Sequence, residues 1–230
     1  MNGPFRRPVL IVRPEPGCRQ TVTRAHDLGL DAHGHPLFTI EPAGWEAPDP
    51  AQYDALLIGS ANVLRHGGDR LGRYRHLPVF AVGKSTAIAA QRLGFHVEHI
   101  GSGGLQSVIT AHGRKPRTYL RLGGEERVEL TLPDGQSMHE CTVYRAEPCK
   151  FGEPVRELLQ QRAIVALHSA AAARQLRQEL SRLQIDTGTI SIATLGPRIA
   201  AAAGMNWARI ESAARPSDGA LLELVAAMCQ

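Results

Sequence analysis

Apolar and polar positions along the chain follow one arrangement twice. The first copy begins at Ala55–Val63 (ALLIGSANV) and continues at Val79–Ile100, and the second begins at Ile164–Ala172 (IVALHSAAA) and continues at Ile190–Ile210. Each copy predicts an apolar strand, a serine, a helix, a second apolar strand, a glycine, an alanine-rich helix, a glycine and a short strand. Apolar strands that alternate with helices are typical of βαβ units with a parallel sheet.

The remaining segments predict further elements by the same patterns and by their turn residues. Strands are predicted at Pro8–Arg13, Leu37–Ile40, Tyr119–Leu122 and His139–Tyr144, helices at Gly17–Leu28, Glu126–Leu132 and Pro154–Gln161, and turns at Pro133–Gly135 and around His33 and His35.

Two short strand segments that each end in Glu-Pro, residues 37–42 and 142–149, divide the chain. We interpret them as paired linker strands, with residues 43–141 as an inserted lobe between them. The N-terminal strand and helix (1–36) then join residues 150–230, which would otherwise be short of strands. The prediction is an α/β fold of two parallel-sheet βαβ lobes joined by a two-stranded linker, with a discontinuous first lobe.

Length and cysteine content place the chain in a broad class. A chain of 230 residues can hold one large domain or two of roughly 100 residues each. The four cysteines show no CxxC spacing, and the apolar run at Val9–Val12 is too short for a signal peptide. No segment reaches the ~18 apolar residues of a membrane helix. We expect a cytoplasmic protein with no membrane contact.

The charge balance bears on the kind of ligand. The formal net charge is +4, but the basic residues are scattered and aromatic residues make up only 5% of the chain. Few rings are therefore available to stack on bases, which disfavours a nucleic-acid partner. A mild positive charge fits a small polyanionic ligand at least as well.

The repeat also predicts where a site should lie. Open parallel sheets bind ligands beyond the carboxyl ends of their strands, where backbone N–H groups and helix amino ends point outward. Ser60, Gly83, Ser169 and Gly196 follow such strands, and we expect the two lobes to offer these ends to a shared cleft. His168, beside Ser169, is a further candidate for ligand contact.

Two motifs resemble other chemistries and fail on spacing. Gly83-Lys84-Ser85-Thr86 looks like the end of a phosphate-binding loop, but position 78 is proline where that loop needs glycine. The same residues resemble a hydrolase nucleophile elbow, except that Ala87 replaces its last glycine. No GxGxxG follows a strand. His33 and His35 are predicted in a turn and His96 and His99 along a short strand, so none of them shares a helix face with a carboxylate at i, i+4. We therefore expect neither a cofactor nor a metal.

An ordered set of short motifs resembles the uroporphyrinogen-III synthase family over essentially the whole chain. The matching motifs are Arg13-Pro14, Tyr53-Asp54, Ser60-Ala61-Asn62, Ala81–Ala87, Leu93-Gly94, LRLGG at Leu120–Gly124, Val143-Tyr144, Ser169, Leu195-Gly196-Pro197 and Arg215-Pro216-Ser217. Each motif is weak alone, and their order and spacing carry the resemblance.

The resemblance implies a two-lobe, cofactor-free lyase of tetrapyrrole biosynthesis. Members cyclise the linear tetrapyrrole hydroxymethylbilane to uroporphyrinogen III, with loss of water and inversion of ring D. Substrate and product carry eight carboxylates, which backbone amides at helix starts and cations can bind. The resemblance also implies a monomer, and it leaves open a transient contact with the enzyme that makes hydroxymethylbilane.

The resemblance and the strand-end positions together give the candidate residues. Tyr144 matches the linker tyrosine of the family and is the candidate donor to the leaving hydroxyl. The candidate substrate-binding residues are Arg13, Ser60, Ala61, Asn62, Gly83, Lys84, Thr86, Gly123, Gly124, His168, Ser169, Gly196, Pro197 and Arg198. Helix capping is an alternative role for Ser60, Thr86 and Ser169, and packing is an alternative role for Tyr144.

Two other functions remain open at this point. A catalytically inactive tetrapyrrole-binding or regulatory module could use the same scaffold. A two-domain sensor shaped like a periplasmic binding protein is the other, and the lack of a signal peptide disfavours it.

Overall fold

The computed structural model describes residues 7–111, 113 and 115–229, which form two compact units. The first unit takes the chain up to Thr39 and again from Glu147 onward, and the second is Ile40–Ala146. The first six residues of the predicted discontinuous lobe lie outside the described residues.

The first unit is a parallel sheet between two layers of helices. Its strands are β1 (Val9–Ile11), β2 (Ala32–Gly34), β9 (Ile164–Leu167), β10 (Ser191–Thr194) and β11 (Arg209–Ser212), in the order β11–β10–β9–β1–β2. Helices α1 (Gly17–Asp27) and α8 (Asp218–Met228) pack on one face, and α5 (Glu153–Gln160), α6 (Ala170–Arg182) and α7 (Pro197–Ala203) on the other. Because both faces are covered, the central strands are fully buried.

The second unit repeats this layering on another sheet. Its sheet contains β3 (Phe38–Pro42), β4 (Ala55–Ile58), β5 (Val79–Val82), β6 (Val97–Gly101), β7 (Arg117–Gly124) and β8 (Gln136–Pro148), in the order β3–β8–β7–β4–β5–β6. The first residues of β3 and the last residues of β8 extend past the bounds of the unit. Helices α2 (Asn62–His66) and α3 (Lys84–Arg92) pack on one face, and α4 (Leu105–Ala111) on the other. The pairings of β4 with β5 and β7, of β5 with β6, and of β7 with β8 are parallel.

The predicted α/β class with parallel sheets is confirmed, and so is the order of elements in both copies of the repeat. The spacing of the glycines predicts that α7 is shorter than α3 by nearly one turn. It is shorter by two residues, at seven against nine.

The predicted helix at Glu126–Leu132 is wrong, because this segment has no regular structure. Side chains satisfy its backbone instead. Arg121 donates to the carbonyl of Val128 at 2.9 Å, and the Gln106 amide binds both the N–H and the carbonyl of Thr131. An extended connection therefore links β7 to its parallel neighbour β8.

The predicted turn around His33 is also wrong. Ala32–Gly34 is a strand that pairs in parallel with β1, with Val9 opposite Ala32. Its three residues lack an apolar run, so only the neighbouring strand reveals it.

Candidate functional site

Most of the candidate residues in the second unit lie where parallel strands end. Ser60 follows β4, Gly83 follows β5, Gly124 closes β7, and Tyr144 lies in β8 opposite Gly124. Since these strands are neighbours in the sheet, their carboxyl ends lie along one edge. We call this set of residues the second-unit edge.

At Ser60 the hydroxyl forms part of a turn. Its Oγ accepts a hydrogen bond from the Asn62 backbone N–H at 3.2 Å, and Asn62 Oδ1 accepts one from Arg65 at 2.9 Å. Ala61 is buried between them. The N-cap residue of α2 is Ala61 and no side chain caps this helix, so the capping role considered for Ser60 is not observed. The hydroxyl instead closes a turn, retains a lone pair and can still meet a ligand.

Gly83 forms the junction between β5 and α3. Its φ of +77° is a conformation that favours glycine. No side chain among the described residues caps α3, so the first N–H groups of this helix are available as donors. Lys84 is exposed in the first turn, whereas Thr86 is 3% exposed and packs inward.

Tyr144 lies against a glycine in the neighbouring strand. A Cβ on Gly124 would stand 2.7 Å from Tyr144 Cε2, whereas a Cβ on Gly123 would meet nothing within 4 Å. The ring of His66 lies 6.4 Å from that of Tyr144, at 45°. The half-buried phenol hydroxyl makes no hydrogen bond within the described part of the chain. It is therefore able to donate to a ligand.

In the first unit, five candidates line one pocket of about 390 Å³ at the carboxyl ends of β9 and β10. His168, Ser169, Gly196, Pro197 and Arg198 form its walls together with Ala170, Leu195, Ile199 and Pro216. Ser169 Oγ accepts from the Ala172 N–H at 3.1 Å and caps α6. Arg198 is exposed. The pocket thus combines apolar walls with a cation and a hydroxyl.

Arg13, the remaining candidate, belongs to a cluster around Asp218. Oδ1 of Asp218 accepts from Thr21 at 2.9 Å, from His168 Nε2 at 2.8 Å and from Arg13 at 3.3 Å, and Oδ2 accepts from Arg24 at 3.0 Å. We call these five residues the Asp218 cluster. The Arg13 guanidinium also covers Gly17, where a Cβ would approach its Nε to 2.5 Å.

The Asp218 carboxyl is ionised in this cluster. Burial alone would raise its pKa, but hydrogen bonds from His168 and Thr21 and the charge of Arg13 outweigh that effect and lower the pKa well below the ordinary value. Its place at the start of α8 adds the favourable field of the helix amino end.

Sequence reasoning did not find Asp218, Thr21 or Arg24. The available signal was Ser217-Asp218, because Ser217 caps α8 and acidic residues favour a first helical turn. That signal predicts a helix start, and no local pattern indicates that the carboxylate meets His168.

Two further observations concern the described residues alone. They contain no group of three or more His, Cys, Asp or Glu side chains placed to hold a metal ion. Among them, no helix has both the length and the apolar character to cross a membrane.

The parallel sheets define an open α/β protein, and most of the candidate residues lie beyond the ends of its strands. The family model described as "Uroporphyrinogen-III synthase HemD" matches residues 19–223. The chain therefore belongs to the uroporphyrinogen-III synthase family, and the family predicted from the ordered motifs is confirmed.

One protein of known sequence and two solved structures are similar to this chain. A protein of Archaeoglobus fulgidus named "Putative uroporphyrinogen-III synthase" is 28% identical over 181 residues, which cover 73% of this chain and 75% of that protein. The crystal structure of uroporphyrinogen-III synthetase from Helicobacter pylori 26695 aligns with a TM-score of 0.66 and 16% identity, over 96% of this chain and 99% of that one. A mutant uroporphyrinogen III synthase from Thermus thermophilus aligns with a TM-score of 0.54 and 15% identity, over 96% and 98%. These structures share the fold.

Proposed function

We propose that this chain cyclises hydroxymethylbilane to uroporphyrinogen III, with loss of water and inversion of ring D, as a lyase of tetrapyrrole biosynthesis. The match of the family model over residues 19–223 carries the proposal. An inactive binding or regulatory module is not favoured.

Carboxylate binding is the first task of such a site. The substrate has eight carboxylates, and each is best met by N–H donors and cations. In the proposal, the uncapped amino end of α3, with Lys84 beside it, binds carboxylates on the second unit. Arg13 and Arg198 do so on the first unit, with the Ser169 hydroxyl beside the pocket.

Tyr144 is the proposed donor to the leaving hydroxyl. Its phenol has no hydrogen-bond partner within the described residues, and Gly124 leaves room for the ring at the strand edge. Proton transfer from the phenol to the departing hydroxyl releases water and leaves an azafulvene cation on the substrate. Solvent then returns the proton to the phenolate.

The second task is to control where the ring closes. The cation is attacked by a substituted pyrrole carbon of ring D, which gives a spiro intermediate on the way to the inverted ring. An enzyme directs this step mainly by holding the flexible chain in a conformation that brings those carbons together. Several anchored carboxylates would supply that restraint without a strong catalytic acid or base.

The remaining predictions about the protein belong to this proposal. We infer a monomeric enzyme that works in the cytoplasm on a linear tetrapyrrole polycarboxylate. Transient contact with the enzyme that makes hydroxymethylbilane would shorten the lifetime of this unstable intermediate in solution.

The test is a product analysis with freshly made hydroxymethylbilane. The purified protein is given the substrate, the products are oxidised, and type I and type III uroporphyrins are separated by chromatography. We expect type III uroporphyrin to form a larger share of the product with the protein than in a protein-free control. Type I alone, the spontaneous product, would contradict the proposal and favour the inactive module.

A further inference from the structure

His168 has one ring nitrogen held and the other without a partner. Nε2 lies 2.8 Å from Asp218 Oδ1, while Nδ1 is buried and has no hydrogen-bond partner among the described residues. The side chain is only 8% exposed, so its orientation is set by its surroundings. A buried polar atom without a partner costs free energy, and such atoms are uncommon in folded proteins.

The Asp218 cluster determines which nitrogen carries the proton. Arg13 and Thr21 donate to one oxygen of Asp218 and Arg24 donates to the other, so both oxygens of this carboxylate act as acceptors. Nε2 must therefore donate. Thr21 and Arg13 approach the same oxygen, at 2.9 Å and 3.3 Å, which fixes the carboxylate against rotation. In the neutral ring, Nδ1 is then a lone-pair acceptor.

The surroundings of the ring indicate the kind of group that would meet this acceptor. His168 lies in the wall of the 390 Å³ pocket, whose other walls include Leu195, Pro197, Ile199 and Pro216. Apolar walls suit a flat ring, and the exposed Arg198 suits an acidic substituent on that ring. A pyrrole bearing carboxylate side chains has this combination, and its N–H is a donor.

We propose that Asp218 is a positioning residue that holds His168 as the Nε2–H tautomer, so that Nδ1 accepts a hydrogen bond from a pyrrole N–H of the substrate. This inference rests on the proposed function, because the ligand is the tetrapyrrole. It assigns His168 a recognition role and gives Asp218 no direct contact with substrate.

The tautomer is tested by NMR on protein labelled with nitrogen-15 in its histidines. The His168 ring signals are assigned by their loss in His168→Gln. We expect the Nε2–H pattern in the parent protein. In Asp218→Asn the side-chain NH2 can donate to Nε2, which moves the ring proton to Nδ1. An unchanged pattern in Asp218→Asn would overturn the positioning role.

The chain offers a matched control for this experiment. Asp31 Oδ1 lies 3.0 Å from His33 Nε2, so this pair has the same chemistry, but both side chains are well exposed. Asp31→Asn should leave the His168 signals unchanged, and it should leave turnover at the parental rate. An equal effect of Asp31→Asn and Asp218→Asn on His168 would show a general charge effect and overturn the proposal.

Ligand contact is tested by adding uroporphyrinogen III, kept reduced under nitrogen, to the labelled parent protein. We expect the Nδ1 resonance of His168 to shift toward values typical of an accepted hydrogen bond, while the His33 signals stay in place. A Nδ1 resonance that is the same with and without product would mean that water or protein satisfies this atom, and would overturn the contact.

Kinetics separate recognition from folding. His168→Gln keeps a donor near the Nε2 position for Asp218 but removes the acceptor at Nδ1. We expect kcat/KM to fall about tenfold, with a melting temperature close to that of the parent. Suppose that the parent protein makes type III product and that His168→Gln keeps the parental kcat/KM. This result would overturn the inference about His168 and would leave the proposed function standing. If the parent makes type I alone, the proposed function fails, and the tautomer result still stands.

Discussion

The two units organise their strand ends by different means. At the second-unit edge, glycines position the backbone: Gly83 turns the chain into α3, and Gly124 makes room for the Tyr144 ring. In the first unit, a half-buried charge network centred on Asp218 holds the side chains of His168 and Arg13. On similar βαβ scaffolds, steric fit therefore positions the residues of the second-unit edge, and charge interactions position those of the Asp218 cluster. Substitutions should disturb them in different ways.

The largest effect is expected for loss of the central carboxylate. Asp218→Ala leaves Arg13, Arg24 and the buried Thr21 hydroxyl without their shared acceptor. Removing one partner of a fully buried ion pair costs ~3–5 kcal/mol of stability. Both arginines are partly exposed to water, which reduces this cost. We therefore expect the free energy of unfolding to fall by about 2 kcal/mol. Urea denaturation at pH 7 measures it. Asp31→Ala is the exposed control, and an equal loss there would contradict the contrast between buried and exposed pairs.

At the other edge, the largest effect should be on turnover. Tyr144→Phe removes the proposed donor and keeps the ring that fills the space over Gly124. General-acid assistance contributes ~10²–10⁴-fold in many enzymes, and this leaving group needs less help, so we expect about a 10-fold loss. The rate of type III formation and the melting temperature are measured together. Parental turnover, or a melting temperature that falls with activity, would identify Tyr144 as packing alone.

A smaller effect should follow from moving the Tyr144 ring. In Gly124→Ala the new Cβ meets Tyr144 at 2.7 Å, so the ring must shift. Because the ring is the far end of a flexible side chain, we expect a loss of turnover of about threefold to tenfold with a stability change of at most about 1 kcal/mol. Gly123→Ala is the matched control, since its Cβ has open space. Equal rates in the two variants would mean that this contact does not position Tyr144.

The stability that the Asp218 cluster contributes should also depend on pH. Folding lowers the pKa of Asp218 below the value that this group has in the unfolded chain. The contribution of Asp218 to stability is therefore present above the ordinary aspartate pKa of ~3.9, and it is lost as the pH falls toward the pKa of the folded state. We therefore expect the stability gap between the parent and Asp218→Asn to shrink by about 1 kcal/mol between pH 6 and pH 3. Urea denaturation across this range checks the sign. A difference in stability between the two proteins that grows as the pH falls would contradict a lowered pKa for Asp218.

The smallest effect concerns cysteine chemistry beside the charged edge. Cys18 is 1% exposed, and burial, with a smaller contribution from Glu15, raises the pKa of its thiol to about 11. The thiolate is the reactive form, so Cys18 should be alkylated far more slowly at pH 8 than Cys149, which is half-buried. Mass spectrometry after timed iodoacetamide treatment gives the ratio. Equal alkylation rates for Cys18 and Cys149 would contradict this prediction and would indicate that the first unit opens readily around α1.

Elements with strong apolar runs could be predicted from local pattern. Ile164–Leu167 and Val79–Val82 are strands because both faces of each are buried, and Ser169 begins a helix because its hydroxyl caps one. The segment Glu126–Leu132 was mispredicted because Arg121 and Gln106, from other elements, satisfy its backbone. The boundaries of the lobes and the roles of the candidate residues remain predictions.

The sequence by itself determined the repeated βαβ order, the family, and the residues that follow each strand, because periodicity, capping and turn chemistry act over a few residues. The tertiary structure alone decided the Asp218 cluster. Asp218 is 50 positions from His168 and 197 from Thr21, and they meet because β9 pairs with β1 while α1 and α8 cover the same face of the sheet. Such contacts depend on strand order and on which face each helix buries, and burial over the whole unit decides both.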